Sequence, residues 1–398
     1  MQVKNTYLIL ILLLLVSFSC KSSDKQADTF KKNTAKSLPI RPGAYQLHSY
    51  LPLLQGKRVA VVGNQTSEIN GVHLVDTLVS LQINIVKVFA PEHGFRGQAS
   101  AGEQVNNSID IKTGLPIISL YGKHKKPTRE DLKNVDVLLF DIQDVGVRFY
   151  TYLSTLHYVL EAGAEHDIPV IVLDRPNPNS DYIDGPVMQS DFISFVGLHP
   201  VPIVYAMTIG EYARMINGEH WLKNGVQATL KVIPVQNYYH GAVYKLPVKP
   251  SPNLPNYQSV RLYPSLCLFE GTDVSVGRGT DFPFQVYGAP WLPDTGFKFI
   301  PRPNAASKWP KHQEKICYGK DLKQITPPAE IHLQWLIETY KQCPDTLTYF
   351  NGFFNRLAGN ETLQQMIKAG KNTKQIKKTW QNDLNEFKKI RSKYLIYN

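Results

Sequence analysis

The chain contains 398 residues, of which 43% are hydrophobic and 19% are charged, and it has a formal net charge of +11. This positive charge is spread along the sequence and is not interleaved with aromatic residues, so the composition predicts no nucleic-acid partner. The length beyond the N-terminal segment corresponds to two domains of ordinary size.

The N-terminus has the pattern of a bacterial export signal. Lys4 precedes an apolar run from Tyr7 to Val16, which is too short to span a bilayer and has the length of a signal-peptide core. Small residues then lead to Cys20, as in lipoproteins whose cysteine receives a lipid. Ser17 stands where such sites usually carry Leu, so an ordinary signal peptide with a chance cysteine is the alternative.

We therefore expect a signal peptide at residues 1–19, lipidation at Cys20 and a polar, solvated tether at residues 20–40. The protein would then be exported and anchored by lipid to a bacterial membrane, facing the periplasm or the cell surface.

From residue 58 onward, short apolar runs alternate with amphipathic stretches. The apolar runs predict strands at 58–63, 83–90, 116–121, 135–140 and 169–173, with 201–205 as a candidate sixth strand. Helices are predicted at 73–82 and 152–166, and a capping-box pattern at Thr128 and Asp131 predicts a short helix after it. Continuous apolar strands separated by helices indicate a Rossmann-like or flavodoxin-like parallel sheet, which we place at residues 41–205. Because no glycine-rich phosphate loop follows the first strand, we expect no dinucleotide and no other cofactor.

The remaining residues, 206–398, are predicted to form a second, smaller α/β (α+β) domain. A capping box at Thr208 and Glu211 predicts a helix through Trp221, and the Pro- and Gly-rich residues 247–310 predict long ordered loops. Near the C-terminus, one apolar helical stripe is formed by Ile376, Trp380, Leu384, Phe387 and Ile390.

The cysteines after Cys20 do not have the spacing of a zinc site, and no metal is expected. An oxidising compartment would permit one disulfide among Cys267, Cys317 and Cys343, but the sequence does not select the pair.

Polar residues follow the predicted strands at the point where each strand ends. In an open parallel sheet, ligands bind beyond these carboxyl ends, so we expect the polar residues to gather in a cleft between the two domains. A group of carboxylates with Arg, Asn and Tyr is typical of a sugar site. The candidates at the strand ends are Asn64, Glu92, His93, Asp141, Asp144, Arg148, Tyr150, Asp174, Arg175 and Asn177.

Glycoside cleavage needs a carboxylic acid that protonates the leaving oxygen, and Glu92 is the candidate because a buried strand and Pro91 precede it. The alternative for Glu92 is a cap or an ion pair with Arg96. Asp141 or Asp144 is the candidate second carboxylate, with bracing of the loop by Arg148 as the alternative. His93 is expected to be a hydrogen-bonding support more often than a catalyst. Asp174 and Arg175 are candidates for binding sugar hydroxyls, and the alternative is that they pair with each other or with Asn177.

The second domain contributes Glu270, Arg278 and Asp281 as further candidates for substrate binding. Glycines flank Arg278, and an Arg on such a loop can hold a substrate carboxylate in bidentate fashion. A structural pair of Arg278 with Glu270 or Asp281 is the alternative.

Five sequence motifs together resemble the NamZ-type exo-β-N-acetylmuramidases, a YbbC-like family of glycoside hydrolases. They are VFAPEHGFRG (88–97), FDIQDVGVRFYTY (140–152), VLDRPNP (172–178), YPSLCLFEGTDVSVGRGTD (263–281) and ICYGKDL (316–322), and the match runs from about residue 46 to the end. The resemblance implies a Rossmann-like domain, a smaller α/β domain and an active-site cleft between them. It implies release of β-1,4-linked N-acetylmuramic acid (MurNAc) from non-reducing ends, without metal or nucleotide.

By the same resemblance Glu92 is the catalytic carboxylate, and peptidoglycan-derived saccharides such as MurNAc linked to N-acetylglucosamine (GlcNAc) are the partners. Arg278 would then bind the lactyl carboxylate that distinguishes MurNAc from GlcNAc. Two alternatives stay open: a non-catalytic lipoprotein that binds muropeptides or wall glycans, and a metal-dependent hydrolase that uses His93, His124, Asp141 and Asp144.

Overall fold

A computed structural model describes residues 38–97 and 107–398. The predicted signal peptide, Cys20 and most of the predicted tether lie outside the described residues. In chain order the strands are β1 (Val59–Gly63), β2 (Glu68–Ile69), β3 (Val72–His73), β4 (Ile85–Ala90), β5 (Ser108–Ile109), β6 (Pro116–Ser119), β7 (Val137–Asp141), β8 (Val170–Leu173), β9 (Leu230–Ile233), β10 (Val286–Ala289), β11 (Lys298–Phe299) and β12 (Cys317–Asp321). The helices are α1 (Leu47–Leu54), α2 (Leu74–Ser80), α3 (Tyr152–Glu165), α4 (Ile209–Gly218), α5 (Tyr257–Leu266), α6 (Gln334–Gln342), α7 (Thr346–Tyr349), α8 (Phe354–Ala358), α9 (Thr362–Lys368), α10 (Thr373–Lys378) and α11 (Gln381–Ser392).

The larger sheet has seven strands in the order β5-β6-β4-β1-β7-β8-β9. Every neighbouring pair is parallel except β5 with β6. All five residues of β1 and all five of β7 are buried, because helices and loops cover both faces of the sheet. After β1 the chain adds β4 and β6 on one side of it and then β7, β8 and β9 on the other. This order confirms the predicted Rossmann-like arrangement, and the point at which the strand order reverses lies at β1.

The five predicted strands are all present, and the predicted helices correspond to α2 and α3. The candidate sixth strand at 201–205 is wrong, because Val204 forms only isolated bridges to Val147 and Asp184. The sixth parallel strand is β9, so the sheet continues past the predicted domain boundary at residue 205.

The predicted short helix after Thr128 is also wrong. The hydrogen bonds of its capping box do form between Thr128 and Asp131. Residues 129–134 form only turns, because Asn134 has a left-handed φ of 61°, which a right-handed helix cannot contain.

The second part of the chain contains a three-stranded antiparallel sheet in the order β10-β12-β11, and the helices α6–α11 follow it. Residues 247–310 are not loops throughout, since α5 begins there at a capping box of Asn256 and Ser259. The predicted C-terminal stripe is interrupted between α10 and α11, and its residues are buried except Ile390, which is half-buried.

One apolar core joins the sheet to the C-terminal helices, with Leu138 of β7, Phe354 of α8 and Phe387 of α11 in the same cluster. Over residues 38–97 and 107–398, none of the helices has the length and apolar character needed to cross a bilayer. Cys267, Cys317 and Cys343 are free thiols.

Candidate active site

A cavity of about 760 Å³ opens at the carboxyl-terminal edge of the larger sheet. Glu92, Tyr121 and Thr151 line one side of it, from segments that follow β4, follow β6 and precede α3. Residues from the second part of the chain line the other side, among them Glu270, Arg278 and Trp309. The position agrees with the rule that open parallel sheets bind ligands beyond their strand ends.

Local backbone geometry holds Glu92 at this edge. Strand β4 ends at Ala90, and the tight turn that follows is closed by a hydrogen bond of 3.0 Å from Gly94 N to Pro91 O. His93 and Gly94 both take left-handed φ angles, of 70° and 76°. The left-handed conformation is sterically unfavourable at His93, because its side chain has a β-carbon, whereas Gly94 adopts it without strain.

Two hydroxyl groups orient the Glu92 carboxylate inside the cavity. Tyr121 donates its phenolic hydrogen to Oε1 at 3.1 Å, and Thr151 donates to Oε2 at 2.8 Å. Burial, with the Glu92 charge beside it, raises the pKa of Tyr121 above its ordinary value, so the phenol stays a donor. Arg96, the alternative partner considered for Glu92, forms ion pairs with Asp76 and Asp110.

Asp141 and Arg175 form a buried ion pair at the ends of β7 and β8. Both Arg175 Nε and Nη2 donate to the carboxylate, at 2.6 and 2.8 Å, and the side chains are 0% and 3% exposed. The pair links the ends of two neighbouring strands to each other.

Asp144 and Arg148 are also buried, but they do not pair with each other. Tyr205 and the backbone N–H of Gly146 donate to Asp144, and burial raises the pKa of Asp144 to about 6. Arg148 donates four hydrogen bonds of 2.7–2.8 Å to the carbonyl oxygens of Pro186, Val201, Leu357 and Ala358. Burial lowers the pKa of this guanidinium to about 9, and its role is to join two chain segments far apart in sequence.

The remaining strand-end candidates have internal partners. Asp174 accepts hydrogen bonds from Thr208, the N–H groups of Arg175 and Gly210, and the hydroxyl of Tyr397, and burial raises its pKa to about 7. Buried side chains with partners inside the protein are also found at Asn64, His93, Tyr150 and Asn177.

In the second part of the chain, Glu270 and Arg278 lie together in the cavity wall. Arg278 Nε and Nη2 donate to the two oxygens of Glu270 at 2.9 and 2.7 Å. The ion pair that the sequence offered as the alternative role of Arg278 is therefore present. Gly279 beside Arg278 must be glycine, since a β-carbon there would lie 2.5 Å from Arg302 O. Asp281 is exposed.

The structure thus brings Glu92, Glu270 and Arg278 together around one cavity. The described lining, drawn from residues 38–97 and 107–398, contains no other residue of the predicted site. The other strand-end candidates are buried, have partners inside the protein and do not belong to the described lining. In this same described part, no three His, Cys, Asp or Glu side chains are arranged to hold a metal ion.

Several lining residues were not selected from the sequence. Tyr121 is the last residue of the predicted strand 116–121 and could have been found by the same strand-end rule. Trp309 lies in the Pro- and Gly-rich region 247–310 and Lys311 directly follows it, where the sequence has neither helical nor strand periodicity. Lys311 donates to the carbonyl oxygens of Phe269, Thr272 and Val274, and burial lowers the pKa of its amine.

Comparison with known proteins identifies the family. The chain matches the N-terminal model of the exo-β-N-acetylmuramidase NamZ over residues 59–258 and the C-terminal model over residues 261–397. The chain belongs to the NamZ family. Together the two models cover the larger sheet, both sides of the cavity and the C-terminal helices, and they meet after residue 258.

Relatives of known name and structure agree with this assignment. A peptidoglycan β-N-acetylmuramidase NamZ of Bacillus subtilis (strain 168) is 38% identical over 96% of this chain and 97% of its own length. A crystal structure of a DUF1343 family protein of Bacteroides fragilis NCTC 9343 is 42% identical, with a TM-score of 0.84 over 91% of this chain and 99% of that one. A second such protein of the same organism is 29% identical, with a TM-score of 0.78 over 90% of this chain and 99% of its own.

Proposed function

We propose that this protein is an exo-acting glycoside hydrolase that releases β-1,4-linked MurNAc from the non-reducing ends of peptidoglycan fragments during cell-wall turnover. The observation that carries the proposal is the Glu92 carboxyl group, held by two hydroxyl donors in the wall of a cavity large enough for sugar rings. Membership of the NamZ family supports the same reaction.

In this proposal Glu92 is the general acid that protonates the departing glycosidic oxygen. Tyr121 and Thr151 fix the direction in which its carboxyl group points, and such positioning lowers the entropic part of the barrier. The oxocarbenium-like carbon needs a second stabilising group, which is Glu270 or the acetamido group of the substrate itself.

The charge of the cavity fits an anionic sugar. Among residues 38–97 and 107–398, the lining contains three basic side chains, Arg278, Lys308 and Lys311, against the two carboxylates of Glu92 and Glu270. Arg278 uses Nε and Nη2 to bind Glu270, and a guanidinium carries five N–H donors, so the same side chain can also bind the lactyl carboxylate of MurNAc.

The proposal is tested by incubating the purified protein separately with MurNAc–GlcNAc and with GlcNAc–MurNAc, and by identifying the products by liquid chromatography and mass spectrometry. We expect free MurNAc and GlcNAc from the first disaccharide and no cleavage of the second. Retention of both disaccharides intact would reject the hydrolase and favour a muropeptide-binding protein.

We further propose that the chain is exported with a signal peptide at residues 1–19 and is anchored to a bacterial membrane through lipid on Cys20. The short apolar run and the small residues before Cys20 support this proposal. Metabolic labelling with palmitate should label the wild-type protein and not the Cys20→Ala variant. Equal labelling of the two proteins, or labelling of neither, would reject the anchor.

A further inference from the structure

Trp309 is an exposed tryptophan in the wall of the cavity. It is 86% exposed, whereas Trp335 and Trp380 are buried and Trp221 and Trp291 are half-buried. Tryptophan has a large apolar surface and is highly buried on average in proteins. An exposed indole in the cavity that Glu92 and Arg278 also line is therefore a surface that a ligand can cover.

The backbone around Trp309 is held on both sides, so its exposure does not come from a loose loop. Before it, Asn304 and Ser307 exchange two backbone hydrogen bonds of 2.9 and 3.2 Å, and Ala306 O accepts from Asn253 at 2.7 Å. After it, Pro310 is buried, Lys311 is enclosed by three carbonyl oxygens, and the ring of His312 bonds to Asp273 O at 2.7 Å. A rigid backbone that presents an open ring is suited to binding, because little conformational freedom is lost when a ligand stacks on it.

We infer that Trp309 is the platform for the leaving sugar, the GlcNAc ring on the reducing-end side of the bond that is cleaved. The inference rests on the proposed exo-acting hydrolysis. An exo-acting enzyme holds the terminal sugar in the enclosed part of its cavity, so the rest of the glycan must leave toward solvent. The apolar C–H face of a GlcNAc ring matches the open face of an indole, and GlcNAc carries no charge that would need a cation.

Phe353 strengthens the placement. It is 38% exposed and lines the same cavity, so the described part of the lining offers a second exposed aromatic side chain to the departing part of the glycan. The basic residues Arg278 and Lys311 are more enclosed than Trp309 and are suited to the anionic MurNAc ring. Trp309 is thus a specificity-determining residue that favours a sugar over a small leaving group.

The test compares two substrates that differ only in the leaving group: MurNAc–GlcNAc, and β-MurNAc azide, whose leaving group has no ring. For Trp309→Ala we expect kcat/KM on the disaccharide to fall about tenfold relative to kcat/KM on the azide, mainly through KM, which corresponds to the loss of one apolar ring face. Trp309→Phe should lie between the wild type and the Ala variant, because it keeps a smaller aromatic face.

Tyr239→Ala is the matched control, since this aromatic residue is 60% exposed and lies outside the cavity lining. It should leave the ratio of the two kcat/KM values as in the wild type. An equal decrease on both substrates with Trp309→Ala, or no decrease on either, would overturn the inference. Failure of the wild type to release MurNAc from either substrate would reject the proposed function, and this inference with it.

Discussion

Replacement of Glu92 by Gln is expected to lower kcat for release of MurNAc from MurNAc–GlcNAc by about 10²–10⁴-fold, the usual contribution of a general acid. The fold should be unaffected, because Gln has nearly the same volume and keeps partners for both groups. Its amide oxygen can accept the Tyr121 hydrogen bond, and its amide nitrogen can donate to the Thr151 hydroxyl. The measurement is steady-state kinetics, with circular dichroism and thermal unfolding as checks of the fold.

Glu130→Gln is the matched control for this experiment, because the Glu130 side chain is 85% exposed and is not among the lining residues. It should show wild-type activity. Activity of the Glu92→Gln variant within a factor of two of the wild type would remove Glu92 from the acid role.

Replacement of Asp141 by Leu is expected to lower the free energy of unfolding by about 3–5 kcal/mol, because it leaves the Arg175 guanidinium buried without a counter-charge. The pair has two short hydrogen bonds and almost no solvent contact, so water cannot replace the missing carboxylate. A decrease in the urea concentration at the midpoint of unfolding measures the effect.

The double variant Asp141→Leu/Arg175→Met separates the charge effect from packing. The double variant no longer contains a buried guanidinium without a counter-charge, so its free energy of unfolding should be higher than that of Asp141→Leu alone. If Asp141 were a catalytic group with no structural part, the single variant would lose activity but unfold at the wild-type urea concentration. That result would contradict the structural role.

The sequence was sufficient to predict the strands that are buried on both faces. Strands β1, β7 and β8 are continuous apolar runs because each is covered above and below, and such runs are visible without any homologue. Strand β9 was missed because it lies at the edge of the sheet, where Lys231 is exposed and only Ile233 is buried. Its sequence therefore lacks the continuous apolar signal.

The strand-end rule pointed to the edge of the sheet at which the cavity opens, but it could not tell which polar residues would face the cavity. Whether a strand-end side chain is covered depends on segments that are remote in sequence. Asp174 is covered by Thr208 and by Tyr397, the latter 223 positions away. Glu92 remains in the cavity wall because its partners, Tyr121 and Thr151, themselves line that wall. No local pattern encodes this difference.

Trp309 was missed for a related reason. Its segment has neither helical nor strand periodicity, and an exposed tryptophan is distinguished from a buried one only by the contacts that the fold makes around it. The pairing of Arg278 with Glu270, by contrast, was one of two alternatives already visible in the sequence, since both residues lie in one short motif.

The central claim, that Glu92 transfers a proton to the leaving oxygen, is tested most directly with a series of aryl β-MurNAc substrates whose phenol leaving groups differ in acidity. The quantity to measure is the ratio of kcat for the wild type to kcat for Glu92→Gln on each substrate. We predict that this ratio falls toward one as the phenol becomes more acidic, because a good leaving group departs without a proton. A ratio that stays equally large across the whole series would contradict the claim, since the loss would then not depend on protonation of the leaving group.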